Sequence, residues 1–188
     1  MKLTGKKFLL LILYTPSNKG EYCQPIHGRT RLMKMGFIFD KEIRPEFEKE
    51  RYFESIELPE YFAWKYGPFS TGILNDLEFL VNQKYININK SNDTPNLAEL
   101  EEYRYWVEDL SMADFEEYEE ELFCLTTDKG KFKAIEIWNS IPVNGQSILM
   151  EFKTILNNAR LDRILEYVYR KYRKDGFTDK SLIKERFF

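Results

Sequence analysis

Two cysteines and one histidine are all the thiol and imidazole chemistry in this 188-residue sequence. Cys23 and Cys124 are too few for a disulfide scaffold, and neither belongs to a Cys-x-x-Cys pair, so a reducing cytoplasm is the expected setting. His27 alone cannot build a histidine-rich metal centre. Its place four residues after Cys23 reads as loop packing rather than a nucleophile with its base. Long apolar runs are also missing: Phe8 to Tyr14 is about a third of a bilayer span, so no membrane association is expected. Tyr14-Thr15-Pro16-Ser17 lacks the small-x-small pattern of a signal-peptide cleavage site. There is no dinucleotide fingerprint, phosphate loop, nucleophile elbow or His-Glu-x-x-His motif. Glu136 in Ala134-Ile135-Glu136-Ile137 comes nearest to a metal-dependent nuclease pattern, but Trp138 stands where a lysine would be needed. These absences predict no enzyme activity, no metal and no cofactor.

What the chain does contain is globular: 43% hydrophobic, 16% aromatic and 31% charged residues. The net charge of −3 is unevenly spread. Residues 99–121 hold 11 acidic side chains and 1 basic one, a local −10, so the rest of the chain carries +7. A partner senses charge over roughly a Debye length of ~8 Å, so the acidic balance as a whole excludes no polyanion.

Apolar spacing predicts a buried helix over Lys6–Tyr14 and a second helix from Arg29 to about Ile43, ended by Pro45. Leu32, Met35, Phe39 and Ile43 form its inner stripe, which leaves Arg29, Arg31 and Lys34 nearer the outside. Residues 46–60 read as a linker with some helix, and Tyr61–Tyr66 as a short strand. Pro68 is then expected to turn the chain. Ser70 caps a helix carrying Ile73, Leu74, Leu77, Leu80 and Val81 inward. Tyr85–Asn89 and Leu122–Thr126 are strands suited to pair with each other. Between them, residues 92–121 form an acidic helical insertion, with helix starts at Pro95 and Ser111. A helix from Asp128 is expected to point Phe132, Ile135 and Trp138 inward. Helices over Gln146–Asn157 and Leu161–Lys174 follow, then a short terminal helix over Leu182, Ile183 and Phe187. The predicted fold is mainly α with a small β wing: a winged helix-turn-helix with an acidic insertion in the wing and C-terminal helices. Residues 1–142 make the winged-helix domain, and 143–188 a helical extension packed on it.

Four stretches run through most of the chain: Gly28-Arg-Thr-Arg-Leu-Met-Lys34, Trp64-Lys-Tyr-Gly-Pro-Phe-Ser70, Phe123-Cys-Leu-Thr-Thr-Asp-Lys-Gly130, and Leu165-Glu-Tyr-Val-Tyr-Arg-Lys-Tyr172 with Thr178-Asp-Lys-Ser181. Together they resemble the YwgA-like winged-helix proteins of bacteria and archaea, distantly similar to the Panacea antitoxin domain. The resemblance implies a non-enzymatic winged-helix scaffold met in toxin neutralisation, phage-related contexts and transcriptional control. It supplies no catalytic residues. The length and acidity of 92–121 depart from the pattern.

The expected function is nucleic-acid binding in a regulatory or phage-defence-associated module. Arg29, Arg31 and Lys34 are the candidate phosphate contacts, Thr71 and Asn75 the candidate groove readers, and Arg170, Lys171, Arg173 and Lys174 a second basic patch. Asp76 and Glu78 on the reading helix oppose a phosphate backbone. Three readings of the acidic segment stay open: a solvated helix pair, a nucleic-acid mimic masking a basic face, or a protein interface anchored by Tyr103, Tyr105 and Trp106. The competing function is an antitoxin-like subunit of a toxin or multi-protein defence complex. DNA, RNA and a protein are thus the candidate partners, and the residues do not specify an oligomeric state.

Overall fold

Every residue from Phe8 to Leu13 is buried, so the first helix has no solvent side and the rest of the chain packs around it. The computed structural model describes residues 1–90 and 121–187. Strand β1 (Lys2–Thr4) leads directly into α1 (Gly5–Tyr14), and β2 (Ile26–His27) precedes α2 (Arg29–Ile38). A π-helical turn (Phe39–Ile43) carries α2 into α3 (Arg44–Lys49). Strands β3 (Ser55–Glu57), β4 (Phe62–Trp64) and β5 (Gly67–Phe69) come next, then α4 (Thr71–Asn82) and β6 (Asn87–Lys90). After residue 120 the chain forms β7 (Glu121–Cys124), α5 (Asp128–Asn139), α6 (Val143–Asn158) and α7 (Leu161–Lys171). Short 3-10 turns at Arg173–Asp175 and Lys184–Arg186 follow. The protein is mainly helical with several small sheets.

Among the described residues, three small sheets connect the chain. β1 pairs in parallel with β3, β4 pairs antiparallel with β5, and β2, β7 and β6 form an antiparallel sheet in that spatial order. Helices α4 and α5 both pack on α1. Leu149 and Phe152 of α6, Ile164 and Val168 of α7, and Tyr172 at the end of α7 join the same buried cluster as α1 and α2.

Several local expectations are met by capping chemistry. The Ser70 hydroxyl accepts from the Ile73 N–H at 3.3 Å, and Ile73, Leu77 and Leu80 are buried. The Thr127 hydroxyl accepts from the Gly130 N–H at 3.0 Å and opens α5. The pairing of residues 85–89 with 122–126 is realised as the β6–β7 ladder.

Other expectations are corrected. Pro45 does not end the second helix. It lies at the first turn of α3, where its missing N–H removes no helix bond, because the π turn has already broken the i→i+4 ladder. Pro68 does not turn the chain; it pairs with Ala63 inside the hairpin, whose loop is Lys65–Tyr66. On α5 the inward face is Gly130, Ala134, Ile137 and Trp138, while Phe132 is 72% exposed and Ile135 38%. Small Gly130 and Ala134 permit close approach to neighbouring structure, and this rotates Phe132 outward. The terminal segment forms turns instead of an α-helix, with Leu182 59% exposed and Ile183 buried. The helices expected within 92–120 lie outside the described residues.

Candidate functional site

Three of the four stretches singled out in the sequence meet at one place, the β4–β5 hairpin; the fourth, 123–130, belongs to the β2–β7–β6 sheet and the helix after it. Lys34, only 1% exposed, points inward from α2, and its ammonium donates to the carbonyls of Tyr66 (2.7 Å) and Pro68 (3.0 Å). From the other side the Leu182 N–H and the Ser181 hydroxyl both donate to the Lys65 carbonyl, at 2.8 and 3.1 Å. Ser181 therefore accepts from the buried Tyr169 hydroxyl of α7. Gly67 has φ +84°, and a Cβ there would lie 3.2 Å from the Tyr169 ring, so this position requires glycine twice over. The clamp leaves Phe62 and Trp64, each nearly 40% exposed, on a hairpin fixed from behind.

This geometry corrects two predicted phosphate contacts. Lys34 is spent on the hairpin. Arg31, 8% exposed, donates to the carbonyls of Leu156 (2.5 Å) and Ala159 (2.6 Å), which cap the C-terminal end of α6. Both cations lie on the inner side of α2 because Thr30 through Ile38 are all buried. Helical spacing identified one apolar stripe, but this helix is covered on all sides. Arg29 remains near the surface, where its guanidinium grips Glu121 of β7 through two bonds of 2.5 and 2.9 Å.

Thr71 and Asn75 are exposed on α4, as expected, beside exposed Glu78 and Phe79. Asp76 is turned toward Lys6 of α1 at 3.0 Å. No lysine or arginine occurs between Thr71 and Asn82.

The C-terminal basic patch is partly neutralised. Arg170 pairs with Glu166 at 2.9 Å, and Lys171 reaches Glu42 at 2.8 Å, while Arg173 and Lys174 are exposed in the following turn. The sequence reading missed Glu42. It sits in the π turn and accepts from the hydroxyls of Tyr167 (2.8 Å) and Tyr172 (2.7 Å) as well as from Lys171. Burial would raise this carboxyl, but these hydrogen bonds outweigh it and hold Glu42 below the usual glutamate range. Burial, then the Glu42 acceptor, pushes the Tyr172 phenol up. Lys153 was also missed. It is fully buried in α6 and donates to the carbonyls of Leu13 (2.9 Å) and Gln24 (3.1 Å), and burial lowers its ammonium to about 7. A lysine between Phe152 and Leu156 on an apolar helix face was the available sequence signal.

Cys23 is half-buried with φ 57°, and burial raises its thiol, which disfavours the nucleophilic thiolate. Among the described residues, no three His, Cys, Asp or Glu side chains gather closely enough to hold a metal, and no helix is long and apolar enough to cross a membrane. Tyr103, Tyr105 and Trp106 lie outside the described residues. In comparisons with known proteins, the chain matches no family model, no curated protein and no solved structure.

Proposed function

We propose that this chain is a non-enzymatic winged-helix module that acts as a protein-interaction subunit, antitoxin-like in kind. The winged-helix reading is supported by the order α1, β2, α2, α4, β6, β7 and by the sheet order β2–β7–β6, which places a β ladder directly after α4. Thirty-odd residues between α2 and α4 replace the tight turn of a simple helix-turn-helix.

The charge of α4 carries the choice of a protein over DNA. A helix entering the major groove must approach phosphates closely, and α4 brings the exposed Glu78 with no cation of its own, while its Asp76 is already paired with Lys6. Arg31 and Lys34, which would have compensated, are internal. The exposed Asn75 and Phe79 instead offer an amide and an aromatic ring, groups suited to a protein contact. Tyr103, Tyr105 and Trp106 extend this reading as further anchors.

A salt titration against a mixed-sequence duplex and its separate strands tests the choice. The expected result is no saturable binding at low salt. A steep salt-dependent affinity, lost when Arg170, Arg173 and Lys174 are replaced by alanine, would instead establish nucleic-acid binding through the C-terminal cations. In affinity capture from native cells, the intact chain should retain a stoichiometric partner that Phe79→Glu or Tyr103→Ala/Trp106→Ala loses.

A further inference from the structure

Where α6 and α7 face the π turn, the surface opens into a groove of ≈ 430 Å³, within the range of about 300–1,000 Å³ typical of small-molecule sites. Its walls are aliphatic and aromatic: Ile43, Ile148, Phe152, Ile155, Leu156 and Ile164. Ile155 is 57% exposed at its edge, an uncovered apolar side chain beside an apolar hollow. The π turn is what shapes this wall, since its extra residue per turn brings both Glu42 and Ile43 to the groove, and such turns recur at binding sites. Behind the wall, Arg31 takes up the carbonyls of Leu156 and Ala159, so these two acceptors at the end of α6 are already satisfied.

The polar groups on the rim differ in how far they are already satisfied. Glu42 is held by Lys171 and two tyrosine hydroxyls. Arg163 is engaged by Glu166 at 2.8 Å. Glu151 alone among these charged rim groups has no hydrogen bond or ion pair with any described residue, and it stands exposed one turn before Ile155 on α6. A charge left unmatched beside an apolar hollow favours a ligand that fills the hollow and answers the charge.

We propose that this groove binds an apolar small molecule bearing one cationic head, the body lying along Ile43, Phe152, Ile155 and Ile164 and the head pairing with Glu151. The site is independent of whether the chain contacts protein or DNA through α4. It discriminates by charge: an ammonium gains Glu151, an alcohol gains only the apolar wall, and a carboxylate meets repulsion from Glu151.

The test is a methyl-detected NMR titration of the full chain with octylammonium, octan-1-ol and octanoate at neutral pH. Octylammonium should bind saturably, shift the methyls of Ile43, Ile155 and Ile164, and bind tighter than octanol, with octanoate weakest. Glu151→Gln should weaken octylammonium by about threefold and leave octanol unchanged, the effect expected of an exposed ion pair. Ile155→Lys, at an exposed position that leaves the core intact, should weaken octylammonium further. Octanoate binding as tightly as octylammonium would overturn the cationic head, and so would an unchanged affinity in Glu151→Gln. Absence of saturable shifts at the three isoleucines with every probe would overturn the site itself.

Discussion

Lys153→Met removes a buried ammonium while keeping most of its apolar volume, and the result should depend on pH. In the native protein the Lys153 ammonium, held by the Leu13 and Gln24 carbonyls near the end of α1, loses its proton at about 7, whereas a lysine in an unfolded chain keeps it to 10.5. Between those values the unfolded state binds the extra proton, so stability rises with pH. Well below pH 7 both states are protonated and this group contributes no slope. From pH 6.5 to 8.5 the gain amounts to about 2 kcal/mol, approaching ~1.4 kcal/mol per pH unit at the upper end. Cys23 and Cys124, whose thiols burial raises, begin to add an opposing slope near the top of that window, but they do so in wild type and variant alike and largely cancel in the difference between them. Lys153→Met should lack the rise, so the difference between variant and wild type must drift by about 2 kcal/mol over the same window. Its absolute offset combines relief of a buried charge with two orphaned carbonyls at roughly 1–3 kcal/mol each, opposing effects of similar size. Urea unfolding of both proteins at pH 6.5, 7.5 and 8.5 measures the drift. Parallel curves would show that Lys153 keeps its proton in the native state, and the inference from burial would be wrong.

Lys34→Ala should destabilise by about 3 kcal/mol or more, because it opens a cavity and leaves the Tyr66 and Pro68 carbonyls unpaired; an unchanged urea midpoint would deny the clamp. Gly67→Ala acts on the same hairpin and should cost about 1–3 kcal/mol through its φ of +84° and the nearby Tyr169 ring, read as a fall in melting temperature. On α5, Phe132→Ser should change stability by less than about 0.5 kcal/mol while Trp138→Ala costs about 3–5 kcal/mol; the reverse ranking would mean the helix face is misassigned.

Much of the secondary structure was legible because it depends on neighbours in the chain. Ser70 announces α4 by supplying the acceptor that a helix start lacks, and the run Phe8–Leu13 announces a helix with no polar side. The alternation at Ile86 and Ile88 and the apolar β7 segment similarly foretold a paired ladder. Position in the chain could not say which side of a helix meets another. Phe132 and Trp138 share the same local chemistry, and only the approach of α5 to the core sends one outward and one inward. The π turn is equally non-local, since packing rather than propensity lets the chain pass Pro45 without ending the helical run.

The basic residues give the sharpest contrast. The sequence by itself determined that Arg29, Arg31 and Lys34 lie on one helix, that α4 carries acids and no base, and that metal, disulfide and common cofactor motifs are missing. Only the tertiary structure decided what the cations do: Lys34 holds a hairpin more than thirty residues away, and Arg31 caps a helix more than a hundred residues away. A cation's role depends on whether water or carbonyl oxygens surround it. Those oxygens arrive from segments that no local pattern connects, so charge is written in the sequence while its solvation is set by the fold.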